Sequence, residues 1–321
     1  MSAVPSRTIR FHQYGEPADV LRAEHVEIPD PPAERIRVRV IAVGLNPADW
    51  ELCRGFLGGD LPRGIGLDVA GTVDAVGAGV AGVRAGDLVF GVPDFLGQPS
   101  AGAADVAILR SWALVPAGLG AIEASVLPMP VQTSAWTLKA MGVGAGSTVL
   151  IHGAGSTVGF AAVQVAQRMG ARVIATAGRT YAAELERLGA SVTPYGPGMA
   201  DRVRKLAGGP VDHVLDTPPP NAGSLPALIE IAEDPHKVVT ISNHDEARRL
   251  GARVNLDMIT DPTPLDQLLR QYATFAANGE FRVPIARTYP FADWREAAAL
   301  SMSGQARGKL VLLTEETVVA R

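Results

Sequence analysis

Cysteine is nearly absent: Cys53 is the one thiol in 321 residues. A single thiol forms no internal disulfide and no multi-cysteine zinc site, which agrees with a reducing compartment. Charge is also sparse, at 19% of residues, and 29 Lys and Arg against 33 Asp and Glu leave a net charge of -4. With no basic excess to neutralise phosphate backbones, nucleic acid is not an expected partner. The chain has no run of about 18 uninterrupted apolar residues to span a bilayer, and its opening, MSAVPSRTIR, lacks an apolar signal core. The expectation is a cytoplasmic protein with no membrane partner. What is plentiful is apolar side chain, 47% of residues, enough for packed cores; at about 150 residues per domain the length favours two of them.

The chain changes character near residue 126. Before it, Gly, Pro and short β-branched runs crowd together, as in RIRVRVIAVGL (35–45) and GTVDAVGAGV (71–80), and GVAGVRAGDLVFGV (79–92) places a short strand at Leu88 to Phe90. Such runs and turns predict irregular antiparallel β structure without a long helix. After it comes STVLIHGAGSTVGFAAVQVAQRMGARVIATAG, two apolar runs flanking a stretch whose Val158, Ala162, Val165, Ala166 and Met169 recur at helical spacing. The runs SVTPY (191–195), DHVLD (212–216) and KVVTIS (237–242) then alternate with the helical candidates AAELERLG, ADRVRKLA and SLPALIEIA. Alternation of that kind builds a parallel sheet with right-handed crossovers. LDQLLRQYATFAANG (265–279) predicts a helix stopped at Asn278-Gly279, followed by a strand IARTY, a helix from about Phe291 to Met302 and a closing strand KLVLL (309–313). Pro262, Pro264 and Pro284 separate this tail from the sheet and let it pack on the first domain.

The strongest chemical signal is the segment from Ile151 through Gly153, Ala154, Gly155, Ser156, Thr157 and Val158 to Gly159, between a strand and a helix. Glycines at 153 and 155 permit a tight turn that aims amide N–H groups and the positive helix end at a pyrophosphate, and Gly159 permits close packing of helix on sheet. Val158 stands where a third fingerprint glycine would fall, so an ordinary glycine turn is the competing reading. The strand before, the helix after and a second strand ending about twenty residues on favour a dinucleotide cradle. At that second strand's end the chain reads Ala175-Thr176-Ala177-Gly178-Arg179-Thr180, with no carboxylate for the ribose hydroxyls of NAD. Arg179, helped by the Thr176 and Thr180 hydroxyls, is the candidate for a 2′-phosphate, which predicts NADPH; a solvated charge at a helix start is the alternative.

Five further segments resemble the zinc-independent quinone oxidoreductases of the medium-chain dehydrogenase/reductase superfamily, and they do so almost end to end. They are Gly44-Leu45-Asn46-Pro47-Ala48-Asp49, Gly66-Leu67-Asp68-Val69-Ala70-Gly71, Gly86-Asp87-Leu88-Val89, Thr133-Ser134-Ala135-Trp136 and Arg307-Gly308-Lys309-Leu310-Val311-Leu312. The resemblance implies an α/β protein. A GroES-like β-rich catalytic domain (1–125 and 266–321) would accompany a Rossmann domain with a doubly wound parallel sheet (126–265), the active site lying in the cleft between them. Zinc-dependent relatives hold their metal with a cysteine near the Asn46 region and a G-H-E motif, which here reads Gly66-Leu67-Asp68. Leu67 cannot ligate, and the histidines at 12, 25, 152, 213, 236 and 244 show no paired spacing, so no metal is expected.

The resemblance implies cofactor contacts at Tyr195, Thr217, Ile241 and Ser242, and for Lys309 either a cofactor contact or a surface turn. Tyr195 reads equally as a strand-end aromatic packed on the sheet. Asn46 is the candidate to hydrogen-bond a substrate carbonyl or the cofactor, against an Asn-Pro turn former, and Thr133 is expected to face the nicotinamide. Asp49 and Asp68 read as loop ties. Cys53, Trp50 and Trp136 read as pocket lining or core. The implied activity is NADPH-dependent, metal-free hydride transfer to a quinone or an α,β-unsaturated carbonyl. An enoyl reductase acting on thioesters in polyketide or fatty acid metabolism is the close alternative, and an NADPH-binding redox sensor or accessory protein the distant one. The resemblance implies a homodimer that pairs sheet edges, for which KVVTIS and Arg253 to Met258 are the candidates, a simply capped edge being the alternative.

Overall fold

The computed structural model describes residues 3–96, 98–220, 223–260 and 262–314. It divides into two units, Met1–Met129 with Pro264–Arg321, and Pro130–Thr263. In the first unit the alternation of RIRVRV produces the strand Ile36–Leu45, whose apolar side chains Val38 and Val43 join a core with Val69, Val89, Leu109, Leu310 and Leu312. This strand runs antiparallel to Asp68–Val76, to Lys309–Leu313 and to Val106–Leu114. Leu88–Pro93 bridges Asp68–Val76 and Val106–Leu114, so four of the strands close on themselves. The register sets Gly44 opposite Asp68 and Leu45 opposite Leu310, which brings three distant stretches of sequence to one place. A separate three-stranded sheet pairs Val4–Phe11 with Arg22–Ile28 and Arg63–Gly64.

The second unit holds a six-stranded, all-parallel sheet. Its order is Ser191–Thr193, Arg172–Thr176, Thr148–His152, His213–Asp216, Val238–Thr240, Arg253–Val254. This is a doubly wound Rossmann-like sheet, and the strand order reverses between Thr148–His152 and His213–Asp216, where such sheets bind ligands at their carboxyl ends. The helix Thr157–Arg168 buries every side-chain position from Gly159 to Ala166 and is capped by Ser156, whose hydroxyl accepts the Gly159 N–H.

Two element expectations change, and one helix was not anticipated. KVVTIS ends as a strand at Thr240, because the Ser242 and Asn243 N–H groups turn back onto the Thr240 hydroxyl. It is also interior, so the sheet edge belongs to Arg253–Val254, followed by a 3-10 turn over Asn255–Asp257. The helix Pro128–Met141 has no amphipathic signature, since its buried face carries the polar Ser134 and Thr137 beside Val131 and Leu138 while the apolar Met129 and Trp136 lie on the less buried side.

Candidate active site

At the switch point the chain ties its own turn before it can offer anything to a ligand. Gly153 has a φ of 75°, in the left-handed region open to glycine, and a Cβ there would meet the Pro218 ring at 2.7 Å. Its N–H donates to the Thr176 hydroxyl at 3.1 Å, and the Ala154 N–H donates to the Thr176 carbonyl at 2.9 Å. Both amides, expected to grip a diphosphate, are therefore spent on the second strand. Thr176, expected beside a 2′-phosphate, is fully buried, and its hydroxyl lies 2.7 Å from His152 Nδ1. Burial holds the His152 pKa below the usual imidazole range against the opposing pull of Asp216. The neutral ring accepts at Nδ1 from the hydroxyl, which itself accepts from Gly153.

Thr217, after the fourth strand, locks the other side. Its hydroxyl lies 2.7 Å from the His152 carbonyl, 3.0 Å from the Gly153 carbonyl and 3.0 Å from Ser156 Oγ. Its one proton goes to a carbonyl, so Ser156 donates to Thr217 while accepting from Gly159. Thus Ser156 and Thr217 are braces of the loop. The amides left over are those of Gly155, Thr157 and Val158, none of which bonds to a described residue. They stand at the start of a 12-residue helix, where backbone N–H groups and the helix dipole attract an anion. A Cβ on Gly155 would meet only Tyr181 Cδ2, at 3.8 Å, so the loop is open on that side. Tyr181 packs edge-on against Phe160, ring centroids 5.5 Å apart, and stands over the loop. Sequence reasoning missed it, because an aromatic beyond the second strand has no local pattern to mark its contact.

Beyond that strand Arg179 is exposed and has no ion pair with any described residue. Tyr195 is 57% exposed, with its hydroxyl 3.6 Å from where a Gly178 Cβ would be. An aromatic so exposed is not packed on the sheet; it flanks the tip that carries Arg179. On the other side of the switch point the buried Asp216 accepts from Ser224 at 3.0 Å, Thr240 at 2.8 Å and Asn243 Nδ2 at 3.1 Å. These bonds pin the turn Ile241-Ser242-Asn243, where Ser242 Oγ donates to the Pro218 carbonyl at 2.6 Å. Ile241 is half-buried there. Thr133 is half-buried on the helix Pro128–Met141, whose Ser134 hydroxyl donates to the Val158 carbonyl at 3.2 Å. Trp136 is held through its indole N–H to the Thr263 carbonyl at 2.9 Å.

The first unit contains a second constellation, entirely buried. Lys309, 1% exposed, donates from Nζ to Asn46 Oδ1 and, at 2.9 Å, to Asp68 Oδ2. Asn46 Nδ2 donates to the Gly44 carbonyl at 3.2 Å and to Asp68 Oδ2 at 3.0 Å. Asp68 Oδ1 accepts the Met129 N–H at 2.8 Å. Gly44 must be glycine, since a Cβ would meet the Ser125 carbonyl at 2.5 Å and the Lys309 stem at 3.0 Å. Two expectations are corrected. Asn46 has both amide hydrogens and its oxygen committed, so it offers no donor to a substrate carbonyl. Lys309 is neither a surface turn nor free for a phosphate. Beside them Asp49 accepts the N–H groups of Asn46 at 2.8 Å, Gly66 at 2.7 Å and Leu67 at 3.1 Å. Burial, with Asp68 nearby, outweighs those bonds and the Lys309 charge and pushes Asp49 up to about 7. Cys53 and Trp50 are core residues, the indole donating to Ser301 at 2.8 Å.

The family model "Alcohol dehydrogenase GroES-like domain" matches residues 32–123, and "Zinc-binding dehydrogenase" matches residues 188–312. The chain is 29% identical over 328 residues to a chloroplast envelope quinone oxidoreductase homolog of Arabidopsis thaliana, covering 95% of this chain and 97% of that one. It is 31% identical over 293 residues to the spectinabilin polyketide synthase system protein NorB of Streptomyces orinoci, covering 87% of this chain and 13% of that one. The solved quinone oxidoreductase of Coxiella burnetii superposes with a TM-score of 0.77 at 25% identity, over 97% of this chain and 99% of that one. The zinc named in the second family description does not fit these residues. Among the described residues no three His, Cys, Asp or Glu side chains come together to hold a metal. Leu67 has no donor atom, burial pushes the Cys53 thiol up to about 12, and Lys309 already sets a positive charge against Asp68. A GroES-like unit, a Rossmann-like unit with an open helix start at its switch point, and these relatives lead to one conclusion: the chain belongs to the medium-chain dehydrogenase/reductase superfamily, as a quinone oxidoreductase-like oxidoreductase.

Proposed function

We propose that the chain is an NADPH-dependent reductase that works without a metal and passes hydride to a quinone or an α,β-unsaturated carbonyl. The observation that carries this reading is the pairing of a helix start with free amides, at 155, 157 and 158, with an unpaired Arg179 at a strand tip that lacks a carboxylate. In this reading the three amides bind the pyrophosphate and the guanidinium binds the 2′-phosphate. Tyr195 flanks the adenosine side, while Thr133 and the turn Ile241-Ser242-Asn243, pinned by Asp216, line the nicotinamide. The reduced nicotinamide, when bound, supplies the hydride. A quinone or enone spreads the developing negative charge over its own conjugated oxygen, so hydrogen-bond donors and a proton from water complete the reduction. Relatives named as quinone oxidoreductases support the acceptor. The relative named as a polyketide synthase system protein favours a second reading, enoyl thioester reduction.

Steady-state kinetics on Arg179→Ala test the cofactor assignment. The Michaelis constant for NADPH is expected to rise by on the order of tenfold or more while that for NADH stays within about twofold. Equal changes in both would remove Arg179 from the site.

A further inference from the structure

Arg63 opens the two-residue strand Arg63–Gly64 in the first unit and is only 3% exposed. Arg37, also buried in that unit, is ion-paired with Asp74 at 2.7 Å and Asp30 at 3.4 Å. Arg63 has no carboxylate partner among the described residues. Its Nη1 donates to the Leu57 carbonyl, its guanidinium lies 5.9 Å from the centre of the Phe95 ring, and its Nη2 is buried with no hydrogen-bond partner. A guanidinium stays charged at any pH a protein survives, so a permanent cation is held out of water with one donor face unused. The same Phe95 ring carries a second guanidinium, Arg110, at 5.2 Å. The neighbouring Asp94 is engaged by Arg35 at 3.2 Å, so it does not answer this charge.

Leu57 and the chain neighbours of the two residues Arg63 contacts, Phe56 before Leu57 and Leu96 after Phe95, are apolar and exposed. Leu57 is 51% exposed, Leu96 58% and Phe56 36%. Leu57 also sits at a φ of 57°, a left-handed conformation that a leucine adopts only under constraint, between Gly55 at 97° and Gly59 at 150°. Tyr14 holds the segment through its hydroxyl to the Gly59 carbonyl at 2.8 Å. For a ligand to reach Nη2 the Leu57 carbonyl would have to leave Arg63, and the glycines at 55 and 59 are where that backbone is freest to turn. A carboxylate answers the charge and the unused donors by a paired, charge-assisted bond, and an apolar body answers the rim.

We propose that Arg63, beneath the Leu57 segment, anchors a binding site in the first unit for a small carboxylate carried on an apolar body. The site stands independently of the hydride-transfer reading.

Calorimetric titration of the full chain, without NADPH, with octanoate and with its neutral twin octanamide tests the site. Octanoate is expected to bind with one-to-one saturation in the millimolar range or below, at least about tenfold more tightly than octanamide. Arg63→Gln is expected to weaken octanoate by about tenfold or more, and Arg63→Lys by less. Leu57→Asp changes an exposed side chain at a φ that aspartate tolerates; it is expected to weaken octanoate by repulsion and leave octanamide unchanged. Should Arg63→Gln fail to fold, octanamide and Leu57→Asp still decide. No octanoate binding, equal binding of the two probes, or indifference to Leu57→Asp would each overturn the site. NADPH turnover plays no part in any of these readouts, so loss of the reductase reading leaves the result standing.

Discussion

Asp68 keeps a carboxylate inside a core because the Lys309 ammonium, the Asn46 amide and the Met129 N–H all meet it. Breaking such a set from one side leaves an uncompensated buried charge. Lys309→Met is therefore expected to destabilise the protein by about 3–5 kcal/mol, and Asp68→Asn added to it to recover part of that loss, as read by urea denaturation. An additive double variant would dissolve the proposed coupling. Asp49 makes a pH-dependent contribution of its own. Its folded-state pKa of about 7 lies above the 3.8 of an ordinary aspartate, so folding takes up a proton between those values. The contribution is complete below pH 3.8 and lost as pH rises through about 7, a swing on the order of 4 kcal/mol. Relative to Asp49→Asn, the wild type should lose ground in urea midpoint from pH 5 to pH 8. A constant difference would contradict the raised pKa. Asp49 and Asp68 were legible as loop ties from their motifs, but the partner of Asp68 was not. Lys309 is 241 residues away from it in sequence, and nothing local in Arg307-Gly308-Lys309 tells a buried ammonium from a surface turn.

The helix Thr157–Arg168 depends on a close approach at its first turn. A Cβ at Gly159 would meet the Gly153 carbonyl at 2.5 Å, Thr217 Oγ1 at 2.7 Å and Ala154 Cα at 2.9 Å, two of which are backbone atoms that cannot yield separately. Gly159→Ala should shift the whole turn and weaken NADPH binding by about tenfold or more, measured by quenching of intrinsic fluorescence; unchanged affinity would mean the turn does not hold the cofactor. This strand, glycine turn and helix were readable from sequence because their signals are local: an apolar run, two glycines and helical spacing. The helix Pro128–Met141 was not, because its buried face mixes polar Ser134 and Thr137 with apolar residues while Met129 and Trp136 lie on the less buried side. The end of the strand at Thr240 was not, because it is set by a side-chain hydroxyl that captures the next two amides. The amides most readily assigned to a ligand, those of Gly153 and Ala154, turn out to serve Thr176, a pairing 22 to 23 residues apart that the fingerprint spacing does not reveal.

Across the whole chain, the first unit takes residues from both ends and the second is continuous between Pro130 and Thr263. The short β runs and the βα alternation anticipated a β-rich unit and a parallel-sheet unit, because each announces itself by its own period. Function is less legible at this scale, since the superfamily reuses one scaffold for several acceptors and the chemistry resides in a few side chains. The most direct measurement is NADPH oxidation by the purified full chain, followed by absorbance, against a panel of quinones, enones and enoyl thioesters, with NADH run in parallel. Consumption of NADPH with a quinone or enone, at a kcat/KM on the order of tenfold or more above that with NADH, is the predicted result. Preference for NADH, or tight NADPH binding with no consumption by any acceptor, would contradict it.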